Sequence, residues 1–224
     1  MKVYKNVGDT DFLFELSGGH LAVDFANTLG NRSTDQPTEL LQNYRSLVNW
    51  ARQAGVLDAT SARKFVREAT RRKDDAEVAR VRGIALREAL FSAFAAVAAG
   101  RPMARESLAT LNGFLAEAMG HLRLRQSGRG LAWGRADEDS FDSLSWPVAQ
   151  AAAELLTSEA SDIGRLRQCD ADDCAWLFLD TSKNGRRRWC DMSLCGNRAK
   201  NRRYYQDRRG QRRSPPVRAG KASR

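Results

Sequence analysis

Histidine and cysteine are scarce in this chain, and their placement is uneven. The only histidines are His20 and His121, and all four cysteines fall between Cys169 and Cys195. Neither histidine lies near a nucleophile motif, and the sequence has no Gly-rich phosphate loop and no metal-binding histidine pair. These shortages argue against an enzyme.

Long hydrophobic runs are also missing. No segment reaches the roughly 18 uninterrupted apolar residues that a membrane span requires. The segment from Met1 to Asn6 lacks the apolar core of a signal peptide. We therefore expect a cytoplasmic protein with no membrane contact and with reduced thiols.

Charge is concentrated at one end of the chain. The whole sequence carries 37 basic and 27 acidic residues, of which 17 and 7 lie in residues 161–224. The net charge of +10 therefore belongs to the C-terminal end, and residues 1–160 are neutral overall. A neutral body with a basic end indicates a polyanionic partner.

Hydrophobic periodicity predicts that residues 1–160 form a mainly α domain with one small β-hairpin. Residues 21–28 fit a helix and a strand equally well. The predicted helices run from Thr38 to Gly55, from Thr60 to Arg72, from Asp74 or Asp75 to Gly100, from Leu108 to Ala118, and onward from Trp146. The apolar side of the third helix is expected to carry Val78, Val81, Ala85, Leu90, Phe94 and Val97. Alternation on both sides of Gly128 predicts the hairpin.

The four cysteines predict one structural zinc ion. Cys169 and Cys174 form one pair and Cys190 and Cys195 another, each with four residues between its members. Two local thiolate pairs are what a closed tetrahedral site needs, and four thiolates leave no open position for catalysis. Two disulfides, or ordinary core cysteines, are the alternatives. We expect Cys190→Ser to unfold this finger, release zinc and abolish binding to the partner, while residues 1–160 stay folded.

The segment between the cysteine pairs predicts a two-stranded hairpin. Residues 176–180 are strand-like, residues 182–185 form a turn, and residues 186–189 return as the second strand. We therefore divide the chain into a helical domain at 1–160, a zinc finger with a basic helix at 161–210, and a disordered basic tail at 211–224.

A basic arm follows the last cysteine. No proline interrupts residues 195–209, so a helix is expected there, ending at Gly210. From Lys183 to Arg224 the net charge is +13, which favours nucleic acid as the partner. The candidate nucleic-acid-binding residues are Arg186, Arg187, Arg188, Arg198, Lys200, Asn201, Arg202, Arg203, Tyr205, Arg208 and Arg209.

A polar cluster near the N-terminus is the candidate site for a small-molecule effector. His20, Asp24 and Asn27 would share one helix face, with Arg32 nearby. The alternative is that these residues cap and crosslink the N-terminal segment.

Two motifs resemble known families. The string from Arg188 to Arg198, containing Cys195-Gly196-Asn197-Arg198, resembles the signature of CGNR zinc-finger proteins, as do residues 178–184. Residues 18–28 resemble the opening of the ABATE domain. The resemblance implies a bacterial, stress-induced transcription regulator, a treble-clef-like finger whose second cysteine pair opens a helix, and zinc on the four cysteines.

Together these observations predict a zinc-dependent protein that binds double-stranded DNA and regulates transcription, with an N-terminal ligand-sensing or oligomerisation domain. A homodimer would suit paired half-sites. The alternatives are an RNA-binding protein, in which Tyr204 and Tyr205 stack on unpaired bases, and a zinc-stabilised protein-interaction module.

Overall fold

The computed structural model describes residues 4–9, 11–202 and 204–205. The fold class expected from the sequence is confirmed: the described chain is mainly helical, with short antiparallel hairpins and a C-terminal cysteine cluster. Among these residues no helix is both long and apolar enough to cross a membrane. The tail at 211–224 lies outside the described residues.

Helices and hairpins alternate along the first 163 residues. The elements are α1 (Leu21–Ala26), β1 (Leu29–Gly30), β2 (Thr38–Glu39), α2 (Tyr44–Gln53), α3 (Ala59–Arg71), α4 (Lys73–Ala98), α5 (Arg105–Gly120), β3 (Leu122–Ser127), β4 (Gly130–Arg135), a 3-10 turn (Phe141–Leu144), α6 (Trp146–Leu156) and α7 (Ala160–Ile163).

Side-chain caps lie at the starts of α1 and α2. Residues 21–28, for which the sequence allowed two structures, contain the helix α1. The helix expected from Thr38 begins only at Tyr44, because Asn43 caps it: the Ser46 amide donates to the Asn43 side chain and the Ser46 hydroxyl accepts from the Asn43 amide. Thr38 belongs instead to β2, which pairs with β1.

The helical core is built around α4. Leu86, Leu90 and Phe94 of this helix are fully buried, and Phe25, Trp50 and Trp146 from neighbouring helices belong to the same cluster. The expectation that Val78 and Val81 belong to this core is wrong, since both are more than half exposed. The α4 face that packs is instead the one carrying Ala76, Ala79 and Gly83, whose small side chains permit close helix approach.

The hairpin predicted on both sides of Gly128 is confirmed as β3 and β4, with Leu124 opposite Trp133. Most of its side chains are exposed, so the hairpin adds little to the hydrophobic core.

The C-terminal region contains β5 (Leu166–Gln168), β6 (Leu177–Leu179) and a π-helical turn (Met192–Gly196). Residues 197–202 and 204–205, called here the C-terminal helix, are helical. The expected pairing of residues 176–180 with residues 186–189 is wrong, since β6 pairs with β5 and residues 186–189 are not a strand.

The outer edge of β6 explains this difference. The Leu177 amide donates to the Asn27 side chain and the Leu179 amide donates to the Gly18 carbonyl. Both outward amides of β6 are therefore used by the segment around α1, so this edge of β6 is not free to pair with residues 186–189.

Candidate zinc centre and basic face

Two chain turns bring the cysteines together. The first pair lies in the loop that closes the β5–β6 hairpin, where the Cys169 amide donates to the Trp176 carbonyl at 2.7 Å. In the second pair, Cys190 precedes the π-helical turn and Cys195 lies within it. Asp191 caps that turn by accepting from the Leu194 amide at 2.7 Å, and the C-terminal helix follows directly.

The sulfur positions fit one tetrahedral zinc ion. All four Sγ atoms lie within 4.8 Å of one another, and Cys190 Sγ lies 3.6 Å from the sulfurs of both Cys174 and Cys195. A tetrahedron with Zn–S bonds of 2.3 Å has S–S edges of about 3.8 Å. The sulfurs are too far apart for disulfides, whose S–S bond is about 2.05 Å. The cluster therefore has the geometry of a closed structural zinc site.

Electrostatics also favour a cation at this point. Hydrogen bonds from Cys174, Cys190 and Cys195 lower the pKa of the Cys169 thiol. The same coupling with Cys169 raises the pKa values of Cys174 and Cys190, and burial adds to the rise. Four buried thiolates cannot coexist without a compensating positive charge, and zinc supplies that charge when bound.

Residues from both ends of the chain surround the sulfurs. Phe12 and Leu40 share a buried cluster with the four cysteines, Trp176 and Phe178. The finger is therefore packed with residues that precede α2 in sequence, which enlarges a core that would be small by itself.

A buried polar clamp joins the finger to α1. Asn27 is 2% exposed. Its Nδ2 donates to the Leu177 carbonyl at 2.8 Å, and its Oδ1 accepts from the Leu177 amide at 2.9 Å. A second link is the Trp176 indole, which donates to the Leu29 carbonyl at 2.8 Å. Asn27, proposed from the sequence as a ligand residue, thus acts as a crosslink between distant segments.

The other residues of the candidate effector site also make internal contacts. His20 accepts from the Ala22 amide at the start of α1, and burial lowers its pKa. Asp24 accepts from the Gly18 amide at 2.7 Å; burial raises its pKa to about 6 although this hydrogen bond opposes the shift. Arg32 pairs with Glu88 at 2.7 Å.

Several candidate nucleic-acid residues hold the finger together. Arg187 stacks over the Phe178 ring at 4.5 Å and donates to the carbonyls of Trp189 and Cys190. Arg198 donates to Cys195 Sγ at 3.2 Å and pairs with Asp173 at 3.1 Å. Arg198 therefore contacts the metal site, where an N–H···S hydrogen bond would partly neutralise a zinc-bound thiolate.

Three aspartates of the first cysteine loop form an acidic edge beside the basic residues. Asp170 pairs with Arg188 at 2.7 Å, and Arg202 pairs with Asp172 and, at 3.7 Å, with Asp173. Sequence analysis missed this edge because the aspartates and arginines are 18 or more positions apart. The repeated acids between Cys169 and Cys174 were the available signal.

Asp180 is a second residue that sequence analysis missed as a local anchor. It is fully buried and accepts from the Ser182 amide and hydroxyl and from the Arg187 amide. Burial opposes ionisation, yet these hydrogen bonds lower the pKa of Asp180. The charged carboxylate therefore fixes the loop that presents Arg186.

The remaining candidate residues face solvent. The exposed ones are Arg186, Lys200, Asn201 and Tyr205. Tyr204 is also exposed, and its ring lies 5.7 Å from that of Tyr205. Arg203, Arg208 and Arg209 lie outside the described residues.

The fold and the cysteine cluster define a zinc-finger protein with a helical N-terminal region. Comparison with family models then identifies both parts. The ABATE model, whose description is "Putative stress-induced transcription regulator", matches residues 19–159, and the CGNR zinc finger model matches residues 165–209. The chain belongs to the ABATE family and carries a CGNR zinc finger with one structural zinc site. These are regulator and zinc-finger families rather than enzyme families. No curated protein matches the chain.

Proposed function

We propose that this protein is a transcription regulator that binds double-stranded DNA through the C-terminal helix and the adjoining Arg186 loop. The observation that carries the proposal is the position of this helix. It continues directly from the π-helical turn that contains Cys195, so the zinc cluster fixes its direction, and Lys200, Asn201 and Tyr205 lie exposed along it. A basic helix fixed in this way is a common solution for major-groove contact.

The contacts of each arginine divide the basic residues into two groups. Arg187 and Arg198 hold the finger through Phe178 and Cys195, so their loss would act through folding and zinc binding. Arg186 and Lys200 are exposed and are suited to phosphate contacts, while Asn201 is suited to a base edge.

Arg202 belongs to both groups. Its ion pair with Asp172 is exposed, and exposed ion pairs contribute only about 0–1 kcal/mol. A phosphate could therefore replace Asp172 at little cost. Arg188 and Asp170 form a similar exposed pair.

RNA is the second candidate partner, and one observation favours it. Tyr204 and Tyr205 are 55% and 66% exposed and lie side by side on the C-terminal helix. Exposed aromatic rings beside arginines suit stacking with unpaired bases.

The test is selection from a random duplex DNA pool and a parallel RNA pool, using the full zinc-loaded chain at near-physiological salt. Enrichment of a duplex motif supports the proposal, and paired half-sites would support a homodimer. Enrichment confined to the RNA pool would transfer the function to RNA. Retention of duplex without enrichment and with a steep salt dependence would leave only an electrostatic anchor.

Two charge-matched variants sharpen this experiment. We expect Lys200→Ala to weaken duplex binding and to reduce its salt dependence by about one phosphate contact. Arg101→Ala removes the same charge from an exposed position far along the chain, between α4 and α5, and should leave binding unchanged.

The helical region at 1–160 is proposed to sense a ligand or to mediate oligomerisation. A change in duplex affinity on adding an effector would support sensing, and a molar mass of two chains in light scattering would support oligomerisation.

A further inference from the structure

A groove between α2 and α3 has an unusual lining. It encloses a cavity of about 500 Å³, a volume in the range of small-molecule sites. Its floor contains Val48 and Ala62, which are buried, together with Val66. Its polar rim is dominated by arginine.

Two arginines come from each helix. Arg45 and Arg52 lie seven residues apart on α2, and Arg63 and Arg67 lie four residues apart on α3, so each pair lines one wall. Asp11 is the one acidic residue of the lining. Four guanidinium groups therefore surround an apolar floor, with a single carboxylate among them.

The contacts of these arginines compensate only part of their charge, although Arg63 lies close enough to Asp58 to contribute to the lowered pKa of that carboxyl. In the part of the chain that the structure describes, Arg52 donates to Asn49 and Arg63 donates to Thr60, which are both neutral. Arg67 has an ion pair, at 3.7 Å with Glu68, and Glu68 is shared with Arg71 at 3.3 Å.

An ordinary solvated helix face mixes charges of both signs. The two helices instead carry six basic residues and one acidic residue, within a 160-residue region whose net charge is zero. Gathering like charges around one cavity raises their mutual repulsion, and an anion in the groove would relieve it.

We propose that the α2–α3 groove binds a small organic anion: an apolar aromatic or aliphatic body that bears a carboxylate, phosphate or sulfonate group. The body would lie on Val48, Ala62 and Val66, and the acid group would accept hydrogen bonds from guanidinium groups on both walls. This site is separate from the zinc centre, and it gives the proposed sensing role a location that the cluster around His20 does not provide.

The test uses two fluorescent probes of similar shape. The first is 8-anilinonaphthalene-1-sulfonate, an amphipathic anion, and the second is N-phenyl-1-naphthylamine, its neutral counterpart. With the full zinc-loaded chain, we expect the anion to bind at least about tenfold more tightly than the neutral probe, since two or more charge-assisted contacts are involved.

Variants then locate the binding. Arg52→Ala combined with Arg63→Ala removes one guanidinium from each wall and should lower the affinity for the anionic probe by about tenfold. Arg101→Ala combined with Arg105→Ala removes the same charge from exposed positions outside the groove lining, ahead of and at the start of α5, and is the matched control that should have no effect. Equal binding of both probes, or an unchanged affinity in the double variant with a wild-type thermal unfolding curve, would overturn the proposal.

Competition identifies the source of the anion. Displacement of the probe by dodecyl phosphate at lower concentration than by inorganic phosphate supports a small amphipathic ligand. If inorganic phosphate competes equally well, or if only duplex DNA displaces the probe, the small-ligand proposal fails and the groove becomes a general phosphate contact. The affinities for the two probes are measured without nucleic acid, so their outcome is independent of whether the finger binds DNA.

Discussion

Replacing Asn27 with alanine tests whether the helical region and the zinc finger form one cooperative structure. Asn27 is 2% exposed and Leu177 is fully buried, so the substitution leaves both the Leu177 amide and the Leu177 carbonyl without their partner. Each unsatisfied buried group costs about 1–3 kcal/mol. We therefore expect Asn27→Ala to lower the free energy of unfolding by about 2–6 kcal/mol, a large part of the stability of a typical domain.

Two assays measure the effect. Urea unfolding of the zinc-loaded protein gives the stability change, and transfer of zinc to a coloured chelator in dilute buffer gives the rate of metal release. Because Leu177 follows Cys174 by three residues, loosening β6 should speed release by about tenfold. Tyr44→Phe is the control: it removes a buried hydrogen bond of 3.0 Å to the Phe141 carbonyl, far from the finger, and should lower stability without faster release.

An unchanged unfolding midpoint and a wild-type rate of zinc release in Asn27→Ala would refute the clamp. The finger would then be an independent unit, and Cys190→Ser would leave residues 1–160 folded, as the sequence alone suggested. If the clamp holds, we expect Cys190→Ser to lower the unfolding midpoint of the helical region as well.

Three further predictions follow from single contacts. Arg198→Ala removes the hydrogen bond to Cys195 Sγ, so zinc release to a chelator should be about tenfold faster. The sulfur-to-metal charge-transfer bands of the cobalt-substituted variant should also move to lower energy. Asp172→Asn removes a carboxylate that pairs with Arg202, so duplex affinity at low salt, measured by fluorescence anisotropy, should rise by about two- to fivefold. Asp24→Asn removes a buried carboxyl whose pKa is raised from 3.8 to about 6. The protonated carboxyl contributes stability that is fully present below the unfolded pKa and is lost as pH rises through 6. Between about pH 4 and pH 7, the free energy of unfolding of the variant in urea should therefore rise by about 2–3 kcal/mol relative to that of wild type.

Each prediction has an outcome that contradicts it. Unshifted cobalt bands in Arg198→Ala would mean that the guanidinium does not interact with the sulfur. Weaker duplex binding by Asp172→Asn would show that this carboxylate positions Arg202 rather than competing with phosphate. A stability difference between Asp24→Asn and wild type that is constant with pH would mean that Asp24 titrates normally.

The zinc centre could be predicted from the sequence because its information is local. Each cysteine pair spans a single turn, and the spacing of Cys169, Cys174, Cys190 and Cys195 is visible without the fold. The long helices and the β3–β4 hairpin were also predictable, since their periodicity extends over many residues.

Other features depend on tertiary contacts and could not be predicted in this way. Residues 186–189 look like a strand, but the edge of β6 that would pair with them is occupied by Gly18 and Asn27, which are about 150 positions away. The sequence predicts Arg198 only as a nucleic-acid-binding residue, and its contact with Cys195 Sγ is visible only in the fold.

The arginine-lined groove escaped detection for the same reason. In the sequence, Arg45 and Arg52 each look like one charge on a helix face. That they line a groove is visible only in the fold, where α3 brings Arg63 to the opposite wall. A sequence scan treats these residues separately because nothing local connects the two helices.

The shared packing around the cysteines has a practical consequence for anyone who wishes to transplant this finger. A fragment cut at the family boundary near residue 165 would expose the faces of Trp176 and Phe178 that Phe12 and Leu40 cover in the intact chain. It would also leave the outer amides of β6 without their hydrogen-bond acceptors. A portable version would need substitutes for these contacts, such as polar replacements on the uncovered face and a capping strand, before its binding could be compared with that of the whole protein.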